Sequence, residues 1–250
     1  MHKRAVGMTS SIVLAIVAIA VVAVAVYYMS SSSTSSGDGR IVVAMTDAAA
    51  DMGSVTQVLV TVDQVRAHST ADSWVTVSSS SQTYDLLQLK ANGELALVAD
   101  ANVTNGTYDQ FRLRISKVIV VDSNGSHEAK LPSSELKVYT NLTVNADSTT
   151  TATFDFIADE SLHVTGNGLY ILAPVIQFEG REDADVDIDS DDKVEINGGS
   201  VKSQARVGMD INGNVGEGLE ISDDLDLDID ASGLIKAKNK TSGLNVGITY

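Results

Sequence analysis

The sequence contains no cysteine. Disulfides, zinc–thiolate sites and thiol nucleophiles are thereby excluded, so the folded part depends on its apolar core, helped at most by metal or glycan. Positive charge is scarce as well: 17 Lys and Arg face 33 Asp and Glu, for a formal charge of −16. Lys3 and Arg4 sit at the extreme N-terminus, so the remainder is more acidic still. This balance disfavours nucleic acid, because like charge repels the phosphate backbone. It suits solubility, cation binding or a salty medium. The four histidines, His2, His68, His127 and His163, stand in no HExxH or HxH spacing. Neither a Gly-x-Ser-x-Gly elbow nor a Walker loop occurs. With no catalytic constellation in view, the expectation is a protein without enzyme activity.

What is present begins with Ile12–Met29, an apolar run without a single charge. At roughly 1.5 Å per residue it is long enough as a helix to cross most of a bilayer core. In hydrocarbon the backbone must satisfy itself, which selects the helix. Lys3 and Arg4 lie before the run, and Tyr27 and Tyr28 close it. The positive-inside bias then puts the N-terminus in the cytoplasm and everything from Ser30 outside. Three readings stand side by side. The run is a retained single-span anchor, or a secretory signal cut near Ala23-Val24-Ala25, or a pilin-type leader. For the last, Arg4-Ala5 followed by Val6-Gly7 and a long apolar helix resembles the signal peptides of archaeal type IV pilins and archaellins. The resemblance implies removal of a short basic leader and packing of the helix into a filament.

Four regions follow from composition: residues 1–29 as leader and span, 30–38 as a Ser-rich linker, 39–179 as a β domain, and 180–250 as an Asp-rich β region. In the third, Ile41–Thr46 reads as a buried strand, and Val58, Val60, Val62 and, less neatly, Val65 alternate with polar residues. Trp74–Val77, Tyr84–Leu89, Leu136–Tyr139, Leu142–Val144 and Thr149–Ile157 read as further short strands. In the longest signal, Thr107–Val121, Phe111, Leu113 and Ile115 share one face and Arg112 and Arg114 the other. Pro132 breaks the pattern, and Pro174 within Leu169–Phe178 suggests an edge or a bulge. Many short strands at this spacing predict an antiparallel β-sandwich.

The fourth region carries two ladders of aspartate. Asp183, Asp185, Asp187, Asp189 and Asp191 alternate with Ala184, Val186, Ile188 and Ser190, and Asp224, Asp226, Asp228 and Asp230 with Leu225, Leu227, Ile229 and Ala231. In a strand each ladder puts its carboxylates on one side, roughly 6.5–7 Å apart. Such a face is either solvated or neutralised, and all-oxygen sites suit Ca²⁺. Asp185, Asp187, Asp189, Asp226 and Asp228 are therefore candidate Ca²⁺ ligands beside the simpler reading of a solvated acidic face. Asp210–Asn214 with Glu217 or Glu220 is closer to a calcium loop, with its glycine misplaced. Gly198-Gly199 and Gly213 read as turns, and Leu244–Tyr250 as a last strand. Asn-x-Ser/Thr sequons at Asn102, Asn105, Asn124, Asn141 and Asn239 are candidate glycosylation sites if this part is outside the cell. Trp74, Tyr84, Tyr108 and Tyr139 are the aromatics able to stack on sugars if exposed, although the apolar setting of Trp74 favours the core.

Residues 39–179 resemble a family of envelope proteins, domain of unknown function 4382. The opening Gly39–Ala48 (GRIVVAMTDA) carries the resemblance first. Trp74-Val75-Thr76-Val77, Tyr84–Leu89 (YDLLQL) and Gly106–Leu113 (GTYDQFRL) follow in order, then Leu131-Pro132-Ser133-Ser134, Asp155-Phe156 with Ser161, and Tyr170–Ile176 (YILAPVI). Ala49 stands where the family usually has proline, which loosens that turn. The resemblance implies an extracytoplasmic β-sandwich and no particular reaction. The expected function is thus a membrane-anchored cell-surface protein with a structural or adhesive role. A type IV pilin-like filament subunit and an extracellular carbohydrate-binding module are the alternatives. The expected partners are the membrane through Ile12–Met29, further copies of the chain, or surface glycan.

Overall fold

A computed structural model describes residues 37–49, 51–71 and 73–240. The leader, the expected membrane span and the strand expected at Leu244–Tyr250 lie outside these residues. Among the described residues no helix is long and apolar enough to cross a membrane. The chain runs β1 (Asp38–Asp47), β2 (Gln57–Ser69), β3 (Ser73–Ser78), β4 (Gln82–Asp85), α1 (Leu86–Asn92), β5 (Ala96–Thr104), β6 (Gly106–Asp122) and β7 (Gly125–Glu128). It continues with β8 (Glu135–Val144), β9 (Thr149–Phe156), the helical turn α2 (Ala158–Ser161), β10 (Leu162–Val164), β11 (Tyr170–Leu172), β12 (Val175–Ile188) and β13 (Val194–Met209). The short strands β14 (Val215–Glu217), β15 (Leu225–Ile229) and β16 (Ile235–Asn239) end it. The described residues are mostly β, with 65% strand and 5% helix.

Two six-stranded sheets carry the architecture. The first has the order β14-β13-β12-β9-β1-β5; in the second β2 and β6 are central, flanked by β3 and β4 on one side and β7 and β8 on the other. Their inner faces share one core. Phe111 and Leu113 of β6, Val58 and Val60 of β2, Ile41 and Val43 of β1, and Phe154 and Phe178 of β9 and β12 are buried together. Phe178 touches both layers, its ring centroid 5.3 Å from Phe154 edge-on and 6.2 Å from Phe111. The period-2 pattern explains this layering, since alternate residues of a strand face opposite sides. Phe111, Leu113 and Ile115 are fully buried, as their alternation with Arg112 and Arg114 predicts. The irregular step from Val62 to Val65 also has a cause: the β2–β6 register shifts between Val62 and Gln64, and the extra residue restores Val65 to the core face.

Four expectations are corrected. The first sheet is not wholly antiparallel, because β1 and β9 pair in parallel, Arg40 opposite Thr149 through Asp47 opposite Phe156. A parallel pair needs a long connection, and here the whole second sheet lies between the two strands in sequence. Leu86–Asn92 is a helix, because the buried Leu86 and Leu89 are three apart on one face and Gly93 ends it in the left-handed conformation (φ 65°). Trp74 is outside the core, half-exposed on the outer face of the second sheet. Gly198 and Gly199 form no turn; they lie inside β13, opposite Glu182–Ala184, where both have positive φ and Asp183 joins them at φ 53°. A side chain at Gly199 would meet the Glu182 carbonyl oxygen at 2.7 Å.

That irregularity redirects the β12–β13 hairpin. Ile176 and Phe178, near the start of β12, belong to the core between the sheets. Val186 and Ile188 further along pack instead with Val42 and Ala44, on the opposite face of the first sheet. The hairpin tip is fastened to the start of β5: Leu97 N–H donates to the Asp192 carbonyl and Val194 N–H to the Leu95 carbonyl, each at 2.8 Å. The hairpin therefore folds back over its own sheet, and β1 is buried on both faces. The boundary expected between residues 179 and 180 falls inside β12. Further on, β15 and β16 form a separate hairpin whose Leu227 packs with Ile171, Met209 and Ile221.

Candidate functional site

The outer face of the second sheet gathers basic and aromatic side chains from four strands. Register alone sets the arrangement. Trp74, His68, Gln110 and Tyr139 stand opposite one another in one row across β3, β2, β6 and β8. Thr76, Arg66, Arg112 and Lys137 form the next, and Gln64, Arg114 and Glu135 a third. Neighbouring strands lie roughly 4.8 Å apart, so Arg66, Arg112 and Lys137 place three cations within about 10 Å. In a chain of charge −16 this concentration is exceptional.

Trp74 organises the face. The Arg112 guanidinium carbon lies 4.0 Å and that of Arg66 4.7 Å from the Trp74 ring centroid, and the His68 ring centroid 5.0 Å away. The quadrupole of the indole attracts each guanidinium, by about 0.5–1 kcal/mol at exposed sites and more when desolvated. It thereby holds two directly opposed cations that would otherwise repel. Arg112 also donates from Nε to Gln110 Oε1 (3.1 Å) and reaches Glu135 at 3.5 Å. Lys137 approaches the same Glu135 at 3.6 Å, and Arg114 lies 3.8 Å from Asp63. Arg66 has no carboxylate partner among the described residues. Gln110 is only 5% exposed, and its Nε2 has no hydrogen-bond acceptor there. Asp109, the extra residue where the register shifts, turns its carboxylate to His68 Nδ1 at 2.7 Å. The face thus offers two planar guanidiniums, a donor set suited to carboxylates.

A polar groove of about 600 Å³ lies on the outer face of the first sheet beside the folded-back hairpin, lined by Asp155, Gln177, Glu179, Gln204 and Arg206 among others. Burial pushes the Asp155 carboxyl above the usual range, with Lys90 opposing. Nearby, Asp47 closes β1: its Oδ1 accepts the Ala158 N–H (3.0 Å) and the Ala49 N–H (3.2 Å), and its Oδ2 has no partner. Burial is the main cause that pushes its pKa up to about 6. Ser161, fully buried, donates to the Ile157 carbonyl and accepts the Val175 N–H at 2.8 Å. Asp47 and Ser161 thus serve as joints between β1, α2 and β12.

The aspartate ladders are not brought together. Asp185 and Asp187 are exposed on β12, opposite Asn197 and Glu195, whereas Asp226 and Asp228 on β15 face Lys238 and Lys236. Asp189 is the first residue of a hairpin turn. Its Oδ1 accepts the N–H of Asp191 (2.8 Å) and Lys193 (3.0 Å). Asp210 does the same for Asn212 and Asn214, and Asp230 for Ser232 and Leu234. In each turn the fourth residue has positive φ, at Asp192, Gly213 and Gly233. These are three copies of one five-residue loop, and its aspartate caps backbone amides. Hydrogen bonds to the charged form hold Asp189 and Asp230 below the usual carboxylate range. Among the described residues no three His, Asp or Glu are grouped to hold a metal ion.

The other predicted residues are dispersed. Asn102, Asn124 and Asn141 are exposed, and Asn105 and Asn239 half-buried. Tyr84 and Tyr108 are core residues whose hydroxyls donate to the carbonyls of Leu97 and Thr104, whereas Tyr139 is 69% exposed. Reading from the sequence missed Arg66 and Lys137 and gave His68 no role, but it set Asp109 and Gln110 near the Arg112–Arg114 face, as an ion-pair ladder or an anion site. The signal was the period-2 phase of each strand, but their adjacency depended on pairing.

A family model described as "Domain of unknown function (DUF4382)" matches residues 38–174, more than half of the chain. The chain belongs to this family. Neither the curated proteins nor the solved structures give a match. The DUF4382 span ends at Pro174, just before β12, so it contains the whole second sheet and its basic face. The first sheet is completed by β12, β13 and β14, which follow that span.

Proposed function

We propose that this DUF4382 protein is a non-enzymatic, membrane-anchored protein of the cell surface, with a structural or adhesive role. In this reading Ile12–Met29 spans the membrane once, the N-terminus is cytoplasmic, and an extracellular β-sandwich presents the Trp74–Arg66–Arg112 face. The observation that carries the reading is this face: a dense cationic surface held by one indole, on an otherwise acidic chain, with Arg66 lacking a carboxylate partner among the described residues. Protease treatment of intact cells, with mass spectrometry of the released peptides, tests it. Peptides from residues 37–240 should be released while the span stays with the membrane; retention of all of them inside the cell refutes it.

A filament subunit of pilin type is the second reading, favoured by Arg4-Ala5 ahead of the apolar run. A mature N-terminus at Ala5 or Val6 supports it, and an intact Met1 or His2 removes it. For carbohydrate binding, the groove at Asp155 and Gln177 is the better candidate, because the Trp74 ring is already engaged by two guanidiniums.

A further inference from the structure

We infer that the basic face receives the acidic β12–β13 hairpin of a second copy of this chain, so that copies join head to tail. This rests on the adhesive reading of the face and names its partner. Two half-satisfied surfaces lie on one molecule. Arg66 and Arg112 are directly opposed across β2 and β6, and Arg66 has no carboxylate among the described residues. Gln110 Nε2, buried on the same face, has no acceptor there. On the hairpin, Asp187 and Glu195 are also directly opposed, with Asp185 two residues away on the same side. None of these three acids has a cationic partner among the described residues; Lys193 pairs with Glu94 and Arg181 with Glu179. Like charges directly opposite destabilise a strand pair, and a neutralising partner removes that cost.

Geometry agrees. Outward carboxylates recur roughly every 6.5–7 Å along a strand, and cations on adjacent strands every 4.8 Å or so, within reach of long arginine side chains. Val186, Ile188 and Ile196 anchor the hairpin on Val42 and Ala44, so its acidic side is presented outward on a fixed support. The basic face lies on the outer side of the second sheet and the hairpin on the outer side of the first, so the two point away from each other and one two-fold contact cannot engage both. The contact is heterologous and leaves a free face and a free hairpin at the ends. Such growth suits a surface layer or filament.

The test uses the full chain in non-ionic detergent at low salt, followed by sedimentation velocity. The wild type should form a concentration-dependent series that shrinks as NaCl approaches about 1 M, where screening acts within about 3 Å. R66E/R112E and D185K/D187K should each sediment as single chains, their association weakened at least about tenfold. Mixed, the two variants should re-form an alternating series, because the intact hairpin of one meets the intact face of the other and the two reversed surfaces attract each other as well. D185K/D187K relieves like-charge repulsion on the hairpin, so it guards against loss of fold as the cause. A wild-type series unchanged by either variant assigns assembly to the membrane segment or another surface and overturns the proposal. A single-chain wild type that is retained on polygalacturonate through Arg66 and Arg112 also overturns it, and leaves the adhesive reading standing. A single-chain wild type that binds neither removes both.

Discussion

Asp47 allows burial to be weighed against hydrogen bonding at one atom pair. Its side chain is 5% exposed, with Oδ1 holding two backbone amides and Oδ2 holding none. Burial raises its pKa from 3.8 to about 6, against the pull of the Ala158 and Ala49 amides and of Lys90, and with a further push from Asp155. A tenfold change in proton affinity is worth about 1.4 kcal/mol, so the ionised carboxylate costs the fold about 3 kcal/mol. The folded state binds the proton more tightly, so between pH 3.8 and about 6 it carries more protons than the unfolded chain. Stability therefore falls as pH rises through that window and is fully reduced above it. Asp47→Asn keeps the acceptor oxygen and mimics the protonated form at every pH. At pH 8 it should stabilise the protein by up to about 3 kcal/mol, shrinking to about 1 kcal/mol at pH 4.5. Urea unfolding of wild type and variant at both pH values, followed by the emission of Trp74, measures this. Comparing the pair cancels the other carboxylates that titrate nearby. A variant less stable than wild type at pH 8, or a difference independent of pH, would refute the dominance of burial over the two amide bonds.

Three other outcomes are expected. Phe178→Ala removes the ring that touches both sheets and should cost about 3–5 kcal/mol in the same urea assay. Arg112→Lys keeps the charge but loses the planar stack on Trp74, so the Trp74 emission maximum should move nearly as far as in Arg112→Ala; full retention of the wild-type spectrum would mean that charge alone shapes the face. Asp230→Ala frees the amides of Ser232 and Leu234, and their hydrogen exchange should accelerate while that of β6 stays unchanged.

The pattern of which residue faces where was legible along the strands. Phe111, Leu113 and Ile115 alternate with Arg112 and Arg114 because a strand turns successive side chains to opposite faces, a rule that needs only neighbouring positions. The same rule marked Val186 and Ile188 as the apolar side of an acidic ladder, and the order of short motifs pointed to the DUF4382 family. Zero cysteine and an excess of acid excluded thiol chemistry and disfavoured nucleic acid without any fold.

Only the tertiary structure decided what those faces meet. Arg66, Trp74, Arg112 and Lys137 come from four strands, and nothing local says that β2 pairs with both β3 and β6 in a register that stacks two arginines on one ring. The glycines at 198 and 199 read as a turn, because positive φ suits both a turn and a bulge; the pairing with Glu182–Ala184 made them the place where a hairpin folds back over its sheet. Asp189, Asp210 and Asp230 read as metal ligands or surface charge, because a carboxylate's type does not reveal its donor. Backbone amides two and four residues ahead supplied it. Side-chain direction is fixed within two residues of chain, whereas adjacency is fixed by long-range burial, and in this protein the candidate site is made of adjacency.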